Sequence, residues 1–175
     1  MKVLTLIISF LFCFNVNAGG LNIFGFGLYD IKLDGSDNNS TSHFRYENRF
    51  DKNILDIGPK EDNFFFLKPF VAFEYTGDSA SYFLTGIYLN DNLGQLFQGK
   101  QNSFIFTPSF GIGYYNNGSG KNLGNEIQFR TTLEISYELS NDNRIGISLG
   151  HISNANLGDK NPGAEIISLT YQIPY

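Results

Sequence analysis

Hydrophobic and polar residues alternate along most of this chain. From Ala164 to Tyr175, one row is apolar: Ile167, Leu169, Tyr171, Ile173 and Tyr175. The other row is more polar: Ile166, Ser168, Thr170 and Gln172. Arg144 to Ile152 repeats the pattern, with Ile145, Ile147 and Leu149 set against Gly146, Ser148 and Gly150. A period of two marks a strand with two unlike faces. Six further segments read as strands: Leu21 to Leu33, His43 to Ile57, Asn63 to Tyr75, Ser79 to Leu89, Ser103 to Tyr115 and Leu123 to Leu139. Polar, turn-forming stretches lie between several of them, at Asp34–Thr41, Asn90–Asn102, Asn116–Asn122 and Asn141–Asn143. No helical periodicity is evident after residue 18.

The first residues read as an address. Met1-Lys2 precedes an apolar run from Val3 to Phe14, and Asn15-Val16-Asn17-Ala18 supplies a cleavage region ending on a small residue. The run falls short of the ~20 apolar residues that a spanning helix needs. The expected organisation is a secretory signal peptide over residues 1–18 and a single barrel domain over residues 19–175. Cys13 lies inside the signal, and the bulky Phe12 before it does not suit a lipoprotein acceptor site.

Eight strands, each long enough for the ~9–11 residues of a tilted crossing, fit an all-β, eight-stranded antiparallel up-and-down transmembrane β-barrel. No later segment reaches about 18 consecutive apolar residues, so strands are the only remaining way to span a bilayer. The alternative is a soluble barrel of lipocalin type, with the reverse alternation. Pro69 and Pro108 count against both, because each removes a ladder hydrogen bond; both sit near expected strand starts, where this is tolerable. Composition agrees with a β-rich chain: 19 Gly, 18 Phe and 10 Tyr, with 17% charged residues and no Trp. One cysteine excludes a disulfide framework and a cysteine-based zinc site. A formal net charge of −5 argues against a nucleic-acid partner.

The last hairpin carries the candidate chemistry, in His151-Ile-Ser153-Asn-Ala-Asn-Leu-Gly-Asp-Lys-Asn161-Pro-Gly163-Ala-Glu165. His, Ser and Glu are the parts of a nucleophilic hydrolase: base, nucleophile and orienting acid. His151 and Ser153 are two apart on a strand and share a face. If the apolar rows of the two strands are paired, Leu149 faces Ile167, Ile147 faces Leu169 and Glu165 falls opposite His151. Opposed side chains have Cβ atoms about 4.5–5.5 Å apart, close enough for a Glu–His hydrogen bond. A slip of one residue would split the three across both faces. In this register they extend the lipid-facing rows. With both termini in the periplasm, they look sideways into lipid at outer-leaflet level, where lipid ester bonds lie. The bland alternative is that Ser, Asn and Gly here are turn formers and His151 an interfacial residue.

His-x-Ser-Asn-Ala, then Asn-Pro-Gly, then Glu, in a chain ending on an aromatic strand, resembles the PagL-type lipid A 3-O-deacylases, also termed acyloxyacyl hydrolases. Gly120-Lys-Asn-Leu-Gly124 and Phe129-Arg130 add to the likeness, which is specific over Ser103 to Tyr175. The resemblance implies an integral protein of the Gram-negative outer membrane that removes the ester-linked acyl chain at position 3 of lipid A. It implies Ser153 as nucleophile, His151 as general base and Glu165 as its orienter, with Asn154 and Asn161 as oxyanion candidates. It implies no cofactor and no metal. The partner would be lipid A or lipopolysaccharide of the outer leaflet, and two facing apolar walls could support a homodimer. Competing readings are a passive structural or binding barrel and an outer-membrane phospholipid esterase. Other signals are weak. Asp34–Asp37 and Asp91–Asn92 lack the spacing of a calcium loop. His43 reads as a strand-end residue. Gly25-Phe-Gly27 and Gly111-Ile-Gly113 read as packing glycines.

Overall fold

The structure is a computed structural model that describes residues 19–32, 40–57, 65–93 and 102–175. The expected signal peptide, with Cys13, lies outside the described residues, as do residues 33–39, 58–64 and 94–101. The strands are β1 (Gly20–Ile31), β2 (Thr41–Phe50), β3 (Leu55–Ile57), β4 (Phe65–Thr76), β5 (Ser81–Tyr88), β6 (Asp91–Asn92), β7 (Phe104–Asn116), β8 (Ile127–Glu138), β9 (Arg144–Ser153) and β10 (Ala164–Pro174). Eight long strands pair antiparallel in the order β2-β1-β10-β9-β8-β7-β5-β4, and β2 pairs β4 to close the barrel. Closure leaves none of the eight long strands at an open edge, which is what a hydrocarbon environment demands of a sheet.

Two segments break differently from the sequence expectation. The strand expected over His43 to Ile57 stops at Phe50, and the chain resumes as β3 on the same neighbour, β4. The turn-like stretch after Leu89 contains β6, which pairs β7 beyond the end of β5. Pro69 and Pro108 sit at these breaks. Pro69 lies between the last β2 pairing, Arg49 with Phe70, and the first β3 pairing, Leu55 with Leu67. Pro108 lies between the β5 pairing of Tyr88 with Ser109 and the β6 pairing of Asp91 with Phe106. A residue without an N–H thus stands where the neighbouring ladder is interrupted, so the missing donor costs little.

Side chains follow the period-two rule around the wall. In β10, Ile166, Ser168, Thr170 and Gln172 are buried in the lumen, and Leu169, Tyr171 and Ile173 are exposed on the outer face. Phe26, Phe83, Phe110, Leu133, Ile135, Ile145 and Ile147 are also exposed, giving an apolar outer band. Polar-in and apolar-out is the membrane-barrel arrangement rather than the lipocalin one.

The lumen is filled by ionic and polar groups. Glu134 accepts from Arg45 at 2.9 Å, Arg49 at 2.8 Å and Gln172 at 2.9 Å. Glu47 accepts from Arg49 and Arg130, each at 2.6 Å, and Arg130 also pairs with Glu74. His43 bridges Ser168, 3.1 Å from Nδ1, and Glu74, 3.3 Å from Nε2. His43, near the start of β2 as expected, is a buried lumen residue. Three guanidinium groups and three carboxylates compensate one another there, as buried charges must. Arg130 also lies over the Phe70 ring, at 5.2 Å. An apolar cluster including Tyr29, Tyr82, Tyr115, Leu123, Ile152 and Ala164 fills the lumen beyond this network.

Gly20 and Tyr175 exchange backbone hydrogen bonds at 3.1 and 3.2 Å, which places the start of β1 and the end of β10 at one end of the barrel. The connections at that end include 89–103 and 139–143. The opposite end carries 32–40, 77–80, 117–126 and 154–163. Connection lengths do not sort simply by end, because 77–80 is short and 89–103 is long.

Candidate active site

The hairpin of β9 and β10 has the register expected from its apolar rows. Glu165 pairs with His151, Ile167 with Leu149, Ser168 with Ser148 and Leu169 with Ile147. Ile152 and Asn154 point into the barrel and are buried, whereas His151 is exposed and Ser153 half-buried on the outer side. His151 Nδ1 lies 3.2 Å from Glu165 Oε1. A carboxylate can only accept, so Nδ1 carries the proton and Nε2 is left as the basic nitrogen. The two side chains are partly open, at 50% and 34% relative exposure. Ser153 Oγ has no hydrogen-bond partner among the described residues. Ser153 stands opposite Phe129 of β8, and Thr131 stands opposite His151. Phe129 stacks on Phe110, with centroids 5.9 Å apart and planes at 16°. The polar triplet thus crowns an apolar wall of Leu149, Ile167, Leu133 and the stacked pair.

The loop after Ser153 is tightly built. Ala155 and Asn156 adopt φ of 51° and 63°, a left-handed pair uncommon outside glycine and costing of order 1–3 kcal/mol each. Asn154 O accepts from Leu157 N at 2.9 Å, closing the turn. The backbone N–H groups of Ala155 and Asn156 have no acceptor among the described residues. The two asparagines singled out from the sequence divide sharply. Asn154 is fully buried and donates its side-chain amide to Leu123 O at 2.8 Å and Lys160 O at 2.7 Å. Its own N–H goes to Asn161 Oδ1 at 2.9 Å. Every donor of Asn154 is therefore engaged within the loops. The contact on Asn161 Oδ1 fixes that amide, and its NH2 group has no acceptor among the described residues.

Asn154 also ties loop 154–163 to loop 117–126. Gly124, at φ 85°, and Gly158 allow the two loops to touch, since a Cβ on either would run into the other's backbone. Lys121 anchors the second loop to Asp30 at 2.5 Å, at the bulge where β1 shifts register between Tyr29 and Ile31. Spacing alone could not reveal this bracing, because each partner lies far away in the chain. No group of three or more His, Cys, Asp or Glu positioned to hold a metal occurs among the described residues.

The family model described as "Lipid A 3-O-deacylase (PagL)" matches residues 27–174, which is most of the chain. The chain belongs to the lipid A 3-O-deacylase (PagL) family. That family is one of ester hydrolases, and the match takes in the described barrel from Gly27 of β1 to Pro174, the last residue of β10. A 51-residue segment is 39% identical to "Lipid A deacylase PagL" of Bordetella bronchiseptica, covering 29% of this chain and 29% of that protein. The solved structure titled "Crystal structure of the outer membrane enzyme PagL" superposes with a TM-score of 0.61 at 18% identity, covering 89% of this chain and 99% of that one. Neisserial surface protein A matches with a TM-score of 0.54 at 9% identity over 89% and 95% of the two chains. A designed transmembrane β-barrel matches with a TM-score of 0.53 at 11% identity over 89% and 96%. These three likenesses concern the fold, a closed antiparallel β-barrel.

Proposed function

We propose that this chain hydrolyses the 3-O-linked acyl ester of lipid A with Ser153, His151 and Glu165, from the lipid-facing wall at outer-leaflet level. The observation that carries the reading is the His151–Glu165 hydrogen bond on the same outward row as Ser153, within a chain of the lipid A 3-O-deacylase family. With the termini in the periplasm, that row meets the outer leaflet, and the substrate enters sideways from lipid.

Glu165 holds the Nδ1–H tautomer of His151 and stabilises the imidazolium that forms. His151 Nε2 takes the Ser153 Oγ proton as the oxygen attacks the ester carbonyl carbon. The tetrahedral oxyanion is met by donors near Ser153; in our reading these are the free N–H groups of Ala155 and Asn156 and the Asn161 amide. One such donor is commonly worth about 2.7–4 kcal/mol. Asn154, with its donors spent in the loops, shapes this region rather than facing the oxyanion. As the intermediate collapses, His151 returns its proton to the departing sugar oxygen and Ser153 is left acylated. Water then attacks the acyl-enzyme with His151 again as base, releasing the fatty acid and restoring the Ser153 hydroxyl.

The test is purified enzyme in detergent micelles with lipid A in one arm and phospholipid in the other. Release of a hydroxy fatty acid from lipid A alone supports the reading. Release from phospholipid alone assigns the site to a phospholipid esterase, and release from neither favours a passive barrel. We further propose that residues 1–18 are removed on export; intact mass of the outer-membrane protein beginning at Gly19 is the expected result.

A further inference from the structure

We infer that Gly163 is a positioning residue for His151, because its missing side chain keeps the Cε1–Nε2 edge of the imidazole clear. The inference rests on the Ser153–His151–Glu165 reading. Gly163 is buried, just ahead of Ala164, which pairs with Ile152. A Cβ at Gly163 would lie 2.9 Å from His151 Cε1 and 3.5 Å from Nε2. The edge it would press on is the one that must present Nε2 to Ser153.

Gly163 has φ 61°, so a backbone requirement is the competing explanation. The chain itself weakens that explanation. Asp30, Ser79, Asp142, Ala155 and Asn156 all adopt φ between 51° and 64° without being glycine. Two of them, Ala155 and Asn156, belong to the same loop. What sets Gly163 apart is the imidazole standing against it. Carbon atoms pack at about 3.5–4.0 Å, so a Cβ would displace the ring by roughly half an ångström or more. His151 is half exposed and can yield, so the fold survives while the alignment is lost. The Nδ1–Glu165 contact, at 3.2 Å, already sits at the long end of the hydrogen-bond range and has no slack to absorb the shift.

The experiment compares Gly163→Ala, Gly163→Asn and Ser153→Ala with wild type in mixed micelles of lipid A. It measures kcat, KM and the rate of covalent labelling by a fluorophosphonate. Asparagine accepts the left-handed backbone but still carries a Cβ. A misplacement of 1 Å can cost ~100-fold, so both Gly163 variants are expected to lose at least about tenfold in kcat and in labelling rate. KM should stay within about threefold. If Gly163→Ala does not fold, Gly163→Asn carries the test alone. Wild-type kcat in Gly163→Asn would show that glycine serves only the backbone and would overturn the inference. Full activity in Ser153→Ala would instead overturn the underlying triad reading, so the two failures are distinguishable.

Discussion

Replacing Glu165 by Gln probes the least protected link of the proposed site. Gln keeps the size of the side chain and removes its charge. The imidazolium that forms on His151 during attack then loses a carboxylate 3.2 Å away. At that distance two unit charges interact by about 5 kcal/mol at an effective dielectric near 20, and by about 1.3 kcal/mol in bulk water. His151 and Glu165 are 50% and 34% exposed, and in the proposed placement they face lipid and headgroups rather than bulk water. The value therefore falls between these limits, and about 3–4 kcal/mol corresponds to a loss of some 100- to 1,000-fold. The loss should fall on kcat with KM little changed, because the charge pair exists only once the proton has moved. The assay is fatty-acid release from lipid A in micelles across a range of substrate, with barrel folding verified by heat-dependent migration on a gel. A folded Glu165→Gln protein with kcat within threefold of wild type would refute the reasoning, since His151 would then need no orienting carboxylate.

Glu134→Ala strips the central carboxylate from Arg45, Arg49 and Gln172 and leaves three buried guanidinium groups facing two carboxylates; an unfolding titration should show a loss of about 3–5 kcal/mol. Ile147→Arg puts a charge on the outer face midway along β9, and unfolding from lipid vesicles should show a cost of about 2–4 kcal/mol. Asn154→Ala removes the two donors that join Leu123 and Lys160, and each carbonyl left unpaired costs about 1–3 kcal/mol. Limited proteolysis should then cut within 154–163 faster than in wild type, and activity should fall with loop order.

The barrel and its last hairpin were legible because their signal is local and repeated. With Ile145, Ile147 and Leu149 against Ile167, Leu169 and Tyr171, a slip of one residue would bury an apolar row in a polar lumen, and the observed pairing carries Glu165 to His151. The interior was harder to read. His43, Arg45, Glu47 and Arg49 occupy every second position of β2, a pattern that points to one charged face. Their partners, Glu74, Arg130 and Glu134, come from strands remote in the chain, so pairing could not be inferred from spacing. The break after Phe50 was hidden because a strand that stops and resumes on one neighbour keeps its overall composition; Pro69 and Pro108 were the clues. Asn154 was misleading for a related reason. Its place beside Ser153 suggests a role facing the substrate, yet it directly follows Ser153, the last residue of β9, and the strand's alternation carries on to turn it inward onto Leu123 O and Lys160 O.

The most direct measurement is mass spectrometry of lipid A from a Gram-negative host producing this protein, beside the same host producing Ser153→Ala. Lipid A lacking one hydroxyacyl chain is expected with the wild type and intact lipid A with the variant, both proteins being folded in the outer membrane. Equal loss of that chain in both would contradict the assignment of Ser153. Intact lipid A in both, with detergent-solubilised wild type also inactive, would contradict the activity itself.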